Sequence, residues 1–270
     1  MGKLVDQALA AYDFKAPEKS VAVLVEIHQA IESLSPSVWK TRKLKAVKAL
    51  IKSCAGLSLQ LNSDRGYGTE GALGAAMNAF AGYSTANWIA SFMIRSHGMP
   101  TGELGTWLAL IIGVGGAIGV VGSGVFADHM GKRDKRWYMW VAVLACAISA
   151  PLQFGIFMAD SAYVALGFLV IPAMLSNAYL GATLATTHSL VGLKMRALSS
   201  AILFFILNLI GLGMGPTSVG LMSDFLAPTY GAESLRYALM FIVPVALIMS
   251  AGFYLIAAHY VRGDLERAPD

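Results

Sequence analysis

The chain has 270 residues, of which 56% are hydrophobic and only 13% are charged, and its formal net charge is +4. A soluble domain carries about 25% charged residues, so this composition excludes an ordinary soluble protein and indicates a chain that lies largely in lipid. The basic residues also give no sign of a nucleic-acid-binding protein, because most of them flank apolar runs, where anionic lipid and membrane topology explain them.

The first seventy residues differ from the rest, because they hold ten of the twenty Lys and Arg residues and seven of the sixteen Asp and Glu residues. Apolar residues recur at helical spacing in Val21–Leu34 and Val38–Leu57, which predicts soluble helices. We therefore expect residues 1–70 to form a soluble helical segment and residues 71–270 to form a membrane region. The abrupt change near residue 70 leaves two explanations open: a remnant of fusion or sequence assembly, or a genuine cytoplasmic segment.

The sequence predicts no enzyme, cofactor or metal site. Cys54 and Cys146 are far apart and lie in different regions, so neither a disulfide nor a metal site is expected. No set of side chains arranged for catalysis stands out along the chain.

Six apolar runs in the membrane region are long enough to cross a bilayer, which takes about 20 residues of helix. The sequence therefore predicts an all-α polytopic membrane protein with six transmembrane helices. The predicted spans are Ala72–Ile94, Glu103–Ala127, Trp137–Met158, Ala162–Val191, Ala197–Leu226 and Leu235–Val261.

The distribution of Lys and Arg predicts the orientation of these spans. The second connection, the fourth connection and the C-terminal tail carry eight basic residues: Lys132, Arg133, Lys135, Arg136, Lys194, Arg196, Arg262 and Arg267. The other three connections carry only Arg95 and Arg236. Both termini are therefore expected to be cytoplasmic, in the inner membrane of a cell.

Glycines at helical spacing predict close helix packing in two of the spans. In the second, Gly115 and Gly119 form a Gly-x-x-x-Gly pair, and the fifth contains Gly211, Gly213 and Gly215. Small residues three or four apart allow two helix backbones to approach each other.

The loop after the second span has a specific residue pattern, Gly124-Val-Phe-Ala-Asp128-His-Met-Gly131-Lys132-Arg133. It resembles the loop of major facilitator superfamily transporters, usually Gly-x-Leu-x-Asp-Arg-x-Gly-Arg-Arg. Both glycines, the Asp and the last Arg match, whereas Phe126, His129 and Lys132 depart from the pattern.

Further segments are similar to the spinster-like branch of that superfamily, namely Asn78–Tyr83, Ser96–Met99, Lys132–Trp137, Met195–Ala197, Asn208–Gly213 and Ser234–Ala238. The resemblance corresponds to the C-terminal half of a transporter. It implies a small organic, amphipathic solute as substrate, a lipid environment, and alternating access against a second six-helix bundle, which would be another half or a second copy.

The resemblance also implies a gating role for the loop residues Gly124, Asp128, Gly131, Lys132 and Arg133. Asp128 is expected to accept hydrogen bonds at the N-terminus of a neighbouring helix, where the helix dipole favours an anion. Lys132 and Arg133 are expected to pair with acidic groups, and Gly131 is expected to allow the turn. A plain cytoplasmic loop with a cluster of positive charges is the alternative interpretation.

Polar side chains inside the spans are candidates for the substrate cavity, because such groups are costly in lipid. The candidates are Asn78, Tyr83, Trp88, Asn177, Tyr179 and Asn208. The alternative for each is an ordinary packing role within the bundle.

A weaker resemblance concerns Ala8–Ser20 and Lys52–Leu57, which look like an interior helical segment of LmbE-like (PIG-L) deacetylases. The metal-binding His-Pro-Asp-Asp motif of that family is absent, so no deacetylase activity is implied. The alternative function is a non-transporting membrane anchor or remnant that presents residues 1–70 to a soluble partner.

Overall fold

The computed structural model describes residues 66–190 and 196–266. Residues 1–65 of the predicted soluble segment, with its deacetylase-like stretches, lie outside them, whereas residues 66–70 belong to the same helix as the first predicted span. The described residues form six helical rods and contain no strand. The rods are α1 Gly66–His97, α2 Thr101–Gly131, α3 Trp137–Met158, α4 Ala162–Leu175 with Ala178–Leu190, α5 Arg196–Tyr230 and α6 Ser234–Glu266.

The prediction of an all-α polytopic membrane protein is confirmed, and each predicted span coincides with one rod. Four helical stretches are long and apolar enough to cross a membrane: Thr101–Gly131, Trp137–Met158, Ala162–Ser189 and Arg196–Val261. The last comprises α5 and most of α6, which meet at a short 3₁₀ turn that contains Gly231 with a φ of 54°.

The core of the bundle lies where α6 packs against α1 and α3. Phe92 of α1 and Phe157 of α3 meet edge to face with ring centroids 5.3 Å apart, and Tyr254 of α6 is fully buried. Large apolar side chains such as Val121, Phe225 and Ile248 remain exposed on the outside. This distribution is that of a bundle whose outer surface is solvated by lipid.

Three helices depart from regular α-helix. A π-helical segment occupies Ala109–Gly115 in α2, and another occupies Leu207–Met214 in α5. Such segments are rare in proteins, and those that do occur are often found at functional sites. In addition, α4 is interrupted by a turn at Ser176 and Asn177, four residues after Pro172.

Candidate transport surface

The contact between α1 and α5 is close because α5 carries glycine where the two backbones meet. A Cβ on Gly215 would lie 2.7 Å from the carbonyl oxygen of Phe80. Further along the same contact, Nε1 of Trp88 donates a hydrogen bond to the carbonyl oxygen of Pro216 at 2.9 Å. The predicted close packing of the fifth span is thus confirmed at Gly215, and the partner is α1.

Polar groups stand on the open side of this α1–α5 contact. The hydroxyl of Tyr83 donates to Oδ1 of Asn208 at 3.4 Å, and Nδ2 of Asn208 donates to the carbonyl oxygen of Phe204 at 2.8 Å. One turn beyond Tyr83, Nδ2 of Asn87 donates to the Tyr83 carbonyl oxygen at 2.8 Å. Asn87 and Asn208 are both exposed, among exposed apolar side chains of α5 that include Phe205, Leu212 and Met214. We call the surface formed by Tyr83, Asn87 and Asn208 the amide surface.

Asn78 and Tyr179, two other candidates for the cavity, lie inside the bundle and not on this surface. Asn78 is 6% exposed and its Nδ2 donates to Sγ of Cys146 at 3.0 Å. Tyr179 is 6% exposed and belongs to a buried cluster of apolar residues. Asn177 is exposed but stands at the interruption of α4, where its Nδ2 contacts Oγ of Ser176 at 3.4 Å. Of the six candidates, the structure joins Tyr83 and Asn208 directly and ties Trp88 to the same pair of helices.

The loop after α2 is arranged differently from the expectation. Asp128 still lies within α2, and its carboxylate accepts a hydrogen bond from the hydroxyl of Tyr138 at 3.2 Å, in place of backbone N–H groups. Gly131 ends the helix without a positive φ, so it is not needed for a left-handed turn. A Cβ at Gly131 would lie 2.7 Å from the ring of Tyr138, so glycine lets this ring pack closely against the end of α2. Gly124 is exposed, with open space beside its Cα.

The basic side chains of the loop are free within the described part of the chain. Lys132 and Arg133 are exposed, and no carboxylate of residues 66–190 or 196–266 lies within ion-pair distance of either. The two cations are therefore available to a partner that approaches this end of the bundle.

Sequence reasoning did not find Asn87, the π-helical segments or the interruption of α4. Asn87 follows Tyr83 by one turn, so helical spacing alone could have placed it beside the other candidates. A π-helical segment leaves no comparable signal, because one extra residue in a turn does not alter an already uniform apolar run.

Comparison with known proteins identifies relatives in sequence and in fold, although no family model matches the chain. A curated relative, an "MFS-type efflux pump" of Mycolicibacterium smegmatis, is 31% identical over 196 residues, which cover 72% of this chain and 46% of the pump.

Two solved structures have the same fold, both of a bacterial homologue of the human lysosomal transporter Spinster in its inward-facing conformation. The occupied form matches with a TM-score of 0.64 and 25% identity over 75% of this chain and 51% of that one. The unoccupied form matches with a TM-score of 0.66 and 25% identity over 77% of this chain and 50% of that one.

The chain thus spans about half the length of the relatives it matches. Its described helices form a multi-pass membrane bundle. Both the sequence comparison and the fold comparison match this chain to about half of a longer protein. By both criteria, this bundle is related to one half of a spinster-like transporter of the major facilitator superfamily.

Proposed function

We propose that this chain supplies one half of a transporter that moves a small amphipathic organic solute across the inner membrane by alternating access. The amide surface carries the proposal. A polar side chain at membrane depth is costly when it faces lipid, so such groups face a protein or a water-filled cavity. Asn87 and Asn208 are exposed in the isolated bundle, which supports a second bundle or an aqueous cavity opposite them.

The chemistry of this surface favours an amphipathic solute. Asn208 uses Oδ1 toward Tyr83 and one N–H toward Phe204, which leaves one N–H and one lone pair for a ligand. Its surroundings in α5 are apolar, because Phe205 and Leu212, about one helical turn to either side of it, are exposed. A few hydrogen-bonding groups in an apolar wall fit a largely apolar molecule that has one or two polar groups.

The second half would be another copy of this chain or a separate six-helix bundle, and the match would correspond to the C-terminal half of the family. With both termini on the cytoplasmic side, the loop after α2 faces the cytoplasm. There the exposed Lys132 and Arg133 would pair with acidic groups of the opposite bundle when that side closes. The Asp128–Tyr138 hydrogen bond would hold the loop in position for this contact.

Transport by proteoliposomes tests the proposal. Protein purified from the membrane with whatever bundle accompanies it is reconstituted, and uptake of the amphipathic dye rhodamine 6G is followed by fluorescence. Asn208→Leu should lower the initial rate about tenfold, which corresponds to the loss of about 1.4 kcal/mol of binding. The matched control is Ile248→Ala on the lipid-facing side of α6, where the side chain is 63% exposed and uptake should not change.

An unchanged rate in Asn208→Leu would contradict the role of the amide surface. If no solute moves and chemical cross-linking detects only single bundles in the membrane, the membrane-anchor function takes the place of transport.

A further inference from the structure

A second polar site lies inside the bundle, separate from the amide surface. It is a cavity of about 20 Å³ lined by residues of α1, α3, α4 and α6, at the level where α4 is interrupted. Its polar lining comes from Asn78, Ser149, Gln153 and Ser176. The volume suits one water molecule or one dehydrated monovalent ion, and excludes an organic solute.

The lining presents oxygen atoms. Gln153 is 7% exposed, and its Oε1 is buried with no hydrogen-bond partner among the residues that the structure describes. A buried acceptor left unpaired is costly and calls for a ligand. Ser149, one helical turn before Gln153, is 6% exposed and adds a hydroxyl oxygen to the same cavity.

A chain of hydrogen bonds fixes the orientation of the Asn78 amide. Nδ2 of Asn78 donates to Cys146 at 3.0 Å, Cys146 donates to Ser250 at 3.5 Å, and Ser250 donates to the carbonyl oxygen of Gly74 at 2.7 Å. This series engages one N–H of the Asn78 amide, and Asn78 also lines the cavity. No donor among the described residues pairs with its carbonyl oxygen, so this atom is available to a ligand.

The interruption of α4 adds a favourable electrostatic environment for a cation. The first part of α4 ends at Leu175, so the negative end of its helix dipole lies at this turn, where the Ala173 carbonyl oxygen accepts a hydrogen bond from the Ser176 hydroxyl at 2.7 Å. Pro172, which also lines the cavity, has no N–H to donate to the carbonyl four residues before it. Carbonyls of interrupted helices hold cations in secondary transporters as a class.

We propose that this cavity is a binding site for a single monovalent cation, with sodium as the ion of matching size. The ligands are the oxygens of Asn78, Ser149, Gln153 and Ser176 together with carbonyl groups at the end of the first part of α4. None of the residues that line the cavity is acidic, which disfavours divalent ions, since these are held by carboxylates. The binding of the ion does not depend on the proposed function. Only the further idea that the ion drives transport rests on it.

The test measures the midpoint of thermal unfolding of the purified protein in detergent, at constant ionic strength, while sodium chloride replaces choline chloride. A ligand that binds only the folded state raises this midpoint in a saturable way, here by about 2–5 °C. Gln153→Met, which keeps the length of the side chain and removes the oxygen, should weaken the apparent sodium affinity at least tenfold.

Ser149→Ala gives an independent variant in case Gln153→Met does not fold. Ser149 lines the cavity and is 6% exposed, and the change removes its hydroxyl oxygen without adding an atom. Sodium affinity should fall at least tenfold in this variant too. The matched control is Thr106→Val, which removes a hydroxyl of α2 outside the cavity and should leave the sodium response unchanged.

Equal midpoints in sodium and choline would overturn the proposal and assign the cavity to water. A sodium response that survives in both Gln153→Met and Ser149→Ala would also overturn it, because the ion would then bind elsewhere. Since the measurement involves no transport, a negative result here leaves the proposed function standing, and a failed transport assay leaves this site standing.

Discussion

Gly119 of α2 packs directly against the backbone of Met174 in α4. A Cβ at position 119 would lie 1.7 Å from the carbonyl oxygen of Met174. This contact matters because the rest of α2 is poorly buried, with large exposed residues such as Val121 and Val125 along it. This close approach therefore fixes the separation of α2 and α4 at position 119.

Gly119→Ala should destabilise the bundle strongly, because the added methyl group meets backbone atoms that cannot rotate away. Overpacking that forces backbone shifts costs about 1–3 kcal/mol, and occasionally more. The measurement is the midpoint of thermal unfolding in detergent. Gly116→Ala in the same helix is the matched control, since a Cβ there meets no atom within 4 Å. A variant at Gly119 as stable as the one at Gly116 would contradict the predicted contact.

The amino-acid sequence predicted this contact only in part. The spacing of Gly115 and Gly119 predicts a helix interface, because small residues one turn apart allow two helices to pack closely. The identity of the partner helix depends on how six rods assemble, and no local pattern encodes it. The six spans were predictable for a simpler reason, namely that an apolar run of sufficient length can only be helical in lipid.

The candidate site also shows that a local sequence pattern does not determine which groups a side chain will contact. Asn78 and Asn208 are both amides in apolar helices, yet Asn78 is buried against Cys146 and Asn208 is exposed beside Tyr83. The rotation of each helix about its axis decides between the two outcomes, and that rotation follows from packing against distant segments. Cys146 lies 68 residues from Asn78, which is beyond any pattern of local spacing.

The hydrogen bond between Asp128 and Tyr138 leads to a prediction about the loop after α2. Tyr138→Phe removes this bond but keeps the carboxylate, whereas Asp128→Asn keeps an acceptor and removes the charge. If the charge acts across the two bundles, Asp128→Asn should slow transport about tenfold and Tyr138→Phe only about twofold, because a charged group contributes more than a neutral hydrogen bond.

Initial rates in proteoliposomes give this comparison, and labelling of cysteines introduced on the cytoplasmic side reports whether that side still closes. Equal effects of the two variants would restrict Asp128 to a structural role within its own bundle. Unchanged rates and labelling in Asp128→Asn would remove the loop from the transport mechanism altogether.

Arg236 joins the start of α6 to the end of α3, and its loss should destabilise the bundle. Its Nε donates to the carbonyl oxygen of Phe157 at 2.5 Å, and one terminal nitrogen donates to that of Ala159 at 3.5 Å. Hydrogen bonds from a charged donor contribute about 1.5–3 kcal/mol, and Arg236→Met leaves these carbonyl groups unpaired. Thermal unfolding of Arg95→Met provides the reference, because Arg95 is exposed and pairs with no group in the described residues.

The same end of the bundle should respond to acid through His97, the last residue of α1, which lies beyond the predicted apolar span. Burial holds the pKa of His97 below its ordinary value of 6.5, and the nearby Arg236 guanidinium lowers it further, against opposing effects of Glu233 and Asp160. Its Nε2 is buried with no hydrogen-bond partner in the described part of the chain, and its ring packs edge to face on Phe92.

Because the folded state holds His97 neutral, the unfolded chain binds a proton more readily below pH 6.5. Stability from this residue is therefore complete above pH 6.5 and declines as the pH falls through the window below it. We expect the unfolding midpoint to drop more between pH 7.5 and 5.0 in the parent protein than in His97→Gln, which cannot titrate. The remaining histidines are common to both proteins and cancel in the difference, so identical pH profiles would contradict the role of His97.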